Sequence, residues 1–137
     1  MSLPFDNRDG WIWLNGEFVL WREANTHIIN QGLHYGSCVF EGERAYNGKI
    51  FKSTEHTDRL FNSAEILGIS IPYSKNEINQ AKETLIKKMN FSNCYVRPVI
   101  WRGSQQMGIS TNNAEIHAAI AVWEDWESYF PMEKRLK

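Results

Sequence analysis

Two arginines sit where their charge has something to act on. Arg97 lies in the run CYVRPVIW, and the two-residue period of a strand puts it on one face with Tyr95, Val99 and Trp101. A guanidinium among aromatics needs an anionic partner if that face is buried. A ligand carboxylate or an internal carboxylate such as Glu41 or Glu43 would serve. Arg59, in EHTDRL, shares a helix edge with Ser63 and Ile66, beside the apolar stripe. From there it can turn inward to an anion or pair at the surface with Glu55 one helical turn earlier.

The segment GLHYGSCVFEGERAYNG, Gly32 to Gly48, supplies a second set. If it is extended, Cys38, Phe40, Gly42, Arg44 and Tyr46 share a face. A Phe beside a Gly on that face makes a wall next to a gap, which suits either a close backbone crossing or a ligand. Trp126 and Tyr129, near the end of the chain, cover a sheet edge or join such a pocket.

Other chemistries find no footing. His27, His34, His56 and His117 have no second His or Cys at ligand spacing, and no nucleophile elbow, phosphate loop or dinucleotide fingerprint occurs. Cys38 and Cys94 are expected as buried thiols rather than a disulfide. The lysines, Lys82 among them, fall in turns, on helix faces or at the tail, where a desolvated amine of low pKa is not expected.

The elements that must position these residues follow from period and turn chemistry. WIWLNGEFVLW alternates around Asn15-Gly16, a type I′ turn pair, and ERAY and KIFK flank Asn47-Gly48 in the same way, so both read as hairpins. From Thr54 the period lengthens: Leu60, Ala64 and Leu67 form a stripe, Ser53 or Thr54 caps the start and Gly68 closes the end. SKNE, Ser74 to Glu77, has the form of a capping box, followed by the stripe Ile78, Ala81, Leu85 and Met89. CYVRPVIW and IHAAIAVW read as strands. Pro98 sends the first to an edge or a bulge, and apolar residues on both parities make the second central. Strands, two helices, then strands predict an α+β domain, an antiparallel or mixed sheet covered on one face by two helices.

Bulk properties agree with a single soluble domain: 137 residues, 42% hydrophobic, 23% charged and a net charge of −1. Nothing in that charge attracts nucleic acid or an anionic membrane. No apolar run is long enough to span a bilayer, and MSLPFDNRDG is not a secretion signal, so a cytoplasmic protein is expected. Six Trp, five Tyr and seven Phe exceed what a core of this size readily holds, which suggests that some serve an interface or a pocket.

As an ordered set, LHYGSCVFEGERAY, EHTDRL, YVRPVIW, MGIS and WESY resemble the N-terminal domain of branched-chain amino acid aminotransferases, fold-type-IV enzymes that use pyridoxal 5′-phosphate. The resemblance runs from about Trp11 to Tyr129. It implies that Arg59 holds the cofactor phosphate, and that Phe40, Gly42, Trp126 and Tyr129 line the substrate side-chain pocket. It also implies that Tyr95 and Arg97 serve the carboxylate end, including the second carboxylate of glutamate. Tyr35 and Ile109 resemble positions that reach into a neighbouring subunit, which implies a homodimer or higher homo-oligomer. Substrates implied are leucine, isoleucine or valine with glutamate and 2-oxoglutarate.

On this reading residues 1–10 are a flexible N-terminus, 11–130 the small domain and 131–137 the start of an interdomain connection. The family's Schiff-base lysine belongs to a second domain, so this chain is expected to be the inactive half of an enzyme, through a truncated gene, an incomplete reading frame or deliberate shortening. The rival readings are a fragment of a D-amino acid aminotransferase or aminodeoxychorismate lyase relative, and a stand-alone binding or assembly module without catalysis. Aromatics meant to face a second domain would drive such a module to self-associate.

Overall fold

The computed structural model describes residues 4–108 and 114–124. The chain forms β1 (Trp11–Leu14), β2 (Glu17–Leu20), α1 (Gln31–Tyr35), β3 (Cys38–Phe40), β4 (Glu43–Tyr46), β5 (Lys49–Ile50), α2 (Ser53–Ile66), α3 (Lys75–Met89), β6 (Cys94–Arg102) and β7 (Ile116–Trp123). All strands join one antiparallel sheet in the order β2-β1-β7-β6-β4-β5, with β3 also on β6. The α+β architecture is the expected one, and every strand pair is antiparallel.

Both hairpins turn through left-handed pairs, Asn15 (φ 51°) with Gly16 (φ 91°) and Asn47 (φ 52°) with Gly48 (φ 76°). These angles match the strand twist, which is why Asn-Gly carries the signal. The capping box of α3 forms as expected, with Ser74 and Glu77 exchanging side-chain and backbone bonds. The start of α2 does not. Its N-cap is Lys52, at φ 58°, and no side chain caps it. The ladder runs on until the Phe51 N–H donates to the Arg44 carbonyl, so one left-handed residue must turn the chain into the helix.

Pro98 is not at an edge. β6 is flanked by β7 on one side and by β3 and β4 on the other. The Glu41 N–H donates to the Pro98 carbonyl at 3.1 Å. Pro98 therefore stands where β3 gives way to β4, and its missing donor falls in that break.

Alternation along β6 and β7 divides the sheet into two faces. Cys94, Val96, Ile100, Ala118, Ile120 and Val122 are buried against Leu60 and Ala64 of α2 and Ile78, Leu85 and Ile86 of α3. Tyr95, Arg97, Val99, Trp101, His117 and Trp123 point to the other, half-open face. Cys38 belongs to that open face and is exposed, so the expectation of two buried thiols holds only for Cys94, whose pKa burial pushes up to about 11. No helix among the described residues is long and apolar enough to cross a membrane.

Candidate functional site

Arg97 and the residues around it come from three neighbouring strand positions. Phe40 is paired in register with Val99, so its ring lies on the open face beside Arg97, whose guanidinium carbon sits 4.2 Å from the ring centroid. Arg97 Nη2 donates to the Tyr95 hydroxyl at 2.9 Å. The Tyr95 ring in turn stacks on Trp123, with centroids 4.7 Å apart and planes at 27°. The Arg97 Nε is buried with no hydrogen-bond partner among the described residues. A donor in that state is suited to an incoming carboxylate.

Gly42 is part of the same packing. A Cβ there would collide with the Tyr95 hydroxyl, so the glycine makes room for Tyr95 itself. A mostly apolar pocket adjoins the cluster, lined by Ile12, Leu14, Arg97, Val99, Ala119 and Ala121 among others. The wider cavity bounded by Asn47, Lys49, Glu83 and Phe91 lies at the hairpin end of β4 and shares no residue with it.

Arg59 reaches the same strand junction from the helix side. Its partner is neither Glu55 nor solvent alone but Glu41: Nε donates to Oε2 at 2.8 Å and Nη2 to Oε1 at 2.7 Å. His56, one turn earlier on α2, meets Oε1 through Nδ1 at 2.7 Å. Burial alone would raise the Glu41 pKa, but the hydrogen bonds and charges of Arg59 and His56 outweigh it and hold the carboxyl below its ordinary value. The hydrogen bonds that Arg59 donates to Glu41, then the charge of Glu41, raise the proton affinity of Arg59. Nη1 of Arg59 has no partner among the described residues.

Neither Glu41 nor Glu43 pairs with Arg97. Glu43 faces the helices and accepts from Lys82 Nζ at 2.8 Å. Lys82 corrects the expectation that no lysine is desolvated: it is 0% exposed, and burial lowers its pKa. It fills an apolar-stripe position, one turn after Ile78, and lies under the helices, across the sheet from Arg97.

The structure thus brings together Phe40, Gly42, Tyr95 and Arg97, and joins Arg59 to them through Glu41, the residue between Phe40 and Gly42. Tyr35 stands apart on α1, a helix capped by Asn30, and its hydroxyl donates to the Met107 carbonyl at 2.8 Å. Ile109, Trp126 and Tyr129 lie outside the described residues. Sequence reasoning missed Glu41 as the partner of Arg59, and His56 and Trp123 as supports. The available signal was the spacing of His56 and Arg59, which puts two anion-binding side chains on one helix face.

Comparison with known proteins gives this geometry a context. The family model for amino-transferase class IV matches residues 38–129. The chain is 44% identical over 131 residues to a branched-chain-amino-acid aminotransferase of Pseudomonas aeruginosa, covering 93% of this chain and 42% of that protein. Among solved structures, it is similar to a T.th. branched-chain amino acid aminotransferase with pyridoxamine 5′-phosphate, at 36% identity and a TM-score of 0.83, over 92% of this chain and 43% of the other. The same enzyme complexed with N-(5′-phosphopyridoxyl)-L-glutamate matches with a TM-score of 0.81 and 36% identity, over 85% and 42% of the two chains. The chain spans about two fifths of the length of these relatives.

Proposed function

This chain belongs to the class IV aminotransferases, and on that premise we propose that it is the N-terminal portion of a pyridoxal-phosphate-dependent transaminase acting between branched-chain amino acids and 2-oxoglutarate. The observation that carries the proposal is the buried, unpartnered Nε of Arg97 between the rings of Phe40 and Tyr95. A guanidinium held that way is built to receive a carboxylate, and apolar surface lies next to it for an aliphatic side chain.

The residues divide the work by chemistry. Arg97 binds and orients substrate carboxylate, with Tyr95 fixing one of its nitrogens and leaving Nε to the ligand. Phe40 shields that contact from water and supplies a wall for the substrate side chain. Arg59 fits the cofactor's phosphate: it is an exposed fork of donors with Nη1 free among the described residues. Bound pyridoxal phosphate supplies the carbonyl that accepts the amino group and the electron sink that makes the substrate Cα acidic. The proton at Cα requires an amine beside the cofactor. Lys82 does not serve, because it is buried on the inner face of α3 against Thr57 of α2 and Glu43 of β4. The reading assigns that amine to protein outside this chain and predicts that the chain alone is inactive.

The same proposal includes a cytoplasmic homodimer or larger homo-oligomer, in which Tyr35 approaches a second subunit. The exposed apolar group Ile28, Leu33 and Tyr35 around α1 favours such a contact. The test is a transaminase assay with leucine, isoleucine and valine as donors and 2-oxoglutarate as acceptor. It is run on this chain and on the product of the gene read through beyond codon 137. Turnover only by a longer product that carries a further lysine-bearing domain is expected. Turnover by the chain alone would overturn the division of labour, and a longer product that binds pyridoxal phosphate yet transaminates none of these donors would overturn the substrate.

A further inference from the structure

We propose that Glu41 is the positioning residue for the phosphate-binding arginine: its carboxylate grips the inner edge of the Arg59 guanidinium and leaves the outer edge aimed at the cofactor phosphate. The inference rests on the reading of Arg59 given above and adds a second residue to it.

The geometry carries the assignment. An arginine has two edges on which it can form a paired contact, the Nε/Nη2 side and the Nη1/Nη2 end. Glu41 occupies the first with contacts of 2.8 and 2.7 Å. The Arg59 side chain is 65% exposed while that of Glu41 is only 4% exposed. The carboxylate is therefore the buried anchor, and the arginine projects from it with its end edge open.

Glu41 is itself held on two sides. Its N–H donates to the Pro98 carbonyl at 3.1 Å, next to Arg97 in β6, and Oε1 also meets His56 Nδ1 at 2.7 Å. An arginine on a surface helix otherwise samples many rotamers, and that freedom is lost when it grips a ligand. Glu41 removes most of it beforehand. Its backbone places the phosphate grip in a fixed relation to Arg97, so one residue sets the distance between the two anion sites.

A competing role is physically distinct. If Glu41 merely rivals the phosphate for Arg59, removing its charge strengthens phosphate binding. If it positions Arg59, removing it weakens phosphate binding in spite of the lost negative charge. The experiment measures dissociation constants of the full-length enzyme carrying this chain for pyridoxal 5′-phosphate and for pyridoxal, which lacks the phosphate. The ratio of the two isolates the phosphate contribution from general damage to the site.

In Arg59→Met the preference for the phosphorylated form should fall by about 100-fold, and in Glu41→Gln by about 10-fold. Glu41→Asp keeps the charge but is one methylene short of the paired contact, and should lose preference as Glu41→Gln does. In the Arg59→Met background, Glu41→Gln should change the ratio no further. An unchanged ratio in Arg59→Met sinks the reading of Arg59. A fall in Arg59→Met with an unchanged or increased ratio in both Glu41 variants sinks the positioning role alone.

Discussion

Lys82 Nζ donates to Glu43 Oε1 at 2.8 Å in a place where the two residues are 0% and 1% exposed, and it also donates to Thr57 Oγ1 at 2.7 Å. An ion pair this deep gains little net stability, yet removing one partner strands a charge in the core. Lys82→Met is expected to cost about 3–5 kcal/mol. The double variant Lys82→Met with Glu43→Met should recover most of that loss, because neither charge is then left alone. Urea unfolding of the three proteins checks it; a single variant no less stable than the double one contradicts the coupling.

Glu41 and Glu43, two residues apart on a common helix-facing side, should titrate in opposite directions from a normal carboxyl. Burial raises Glu43 despite the pull of Lys82, while Arg59 and His56 bring Glu41 down against burial. The signs then differ in their effect on stability. The folded-state pKa of Glu41 is depressed, so its contribution is present above the ordinary value of 4.5 and is lost as pH falls through the lower folded value. The raised pKa of Glu43 gives a contribution that is full below 4.5 and is lost as pH rises through the higher folded value. Carbon NMR of the glutamate carboxyls should place one midpoint on each side of 4.5. Both midpoints on one side would mean that the two carboxyls do not sit in opposed environments.

The elements that rest on short-range chemistry were legible in the sequence. Asn15-Gly16, Asn47-Gly48 and the Ser74/Glu77 box each specify a local geometry that tertiary contacts had no reason to override. The elements that failed depended on distant partners. Pro98 pointed to an edge or a bulge, because a lone strand cannot reveal that its missing donor falls where two neighbours meet. Lys82 looked like a surface residue because the carboxylate that offsets its burial is 39 positions away. The site was legible in the same uneven way. Parity alone grouped Phe40 with Gly42 and Tyr95 with Arg97, whereas the pairing of Arg59 with Glu41 needed β3 beside α2.

Lys52 offers a direct check on the one helix start that the sequence misplaced. A β-carbon at φ 58° is strained, and the position has no capping side chain. Lys52→Asn supplies a residue that tolerates this conformation and can cap, and should raise stability by about 0.5–1 kcal/mol. A thermal melt that shifts downward would show that the lysine contributes something other than charge at that turn.

Gly42→Ala should separate fold from function. The added methyl meets the Tyr95 hydroxyl, the far end of a side chain, so the ring can yield at a cost of about 1–3 kcal/mol. Yielding breaks the bond from Arg97 and tilts the ring away from Trp123. In the full-length enzyme the melting temperature should move by only a few degrees, since a loss of about 1 kcal/mol shifts a domain of 150–250 residues by roughly 2–4 °C, while KM for carboxylate substrates rises. A KM unchanged with the fold intact would mean that the position of Tyr95 does not matter to the ligand.

Arg97 gives the sharpest discrimination between substrates. If its free Nε receives the second carboxylate of glutamate or 2-oxoglutarate, Tyr95→Phe, which loosens Arg97 without removing its charge, should impair dicarboxylates more than leucine. The lost hydrogen bond involves a charged donor, so the expected gap in kcat/KM is about 10-fold. Arg97→Met removes the contact itself and should widen the gap to about 100-fold or more. Phe40→Ala leaves the charge in place but exposes it to water, and a cation over a ring contributes about 0.5–2 kcal/mol, so its effect should fall between the wild type and Arg97→Met. Equal losses for leucine and 2-oxoglutarate across this series would assign Arg97 to the carboxylate that all the substrates share.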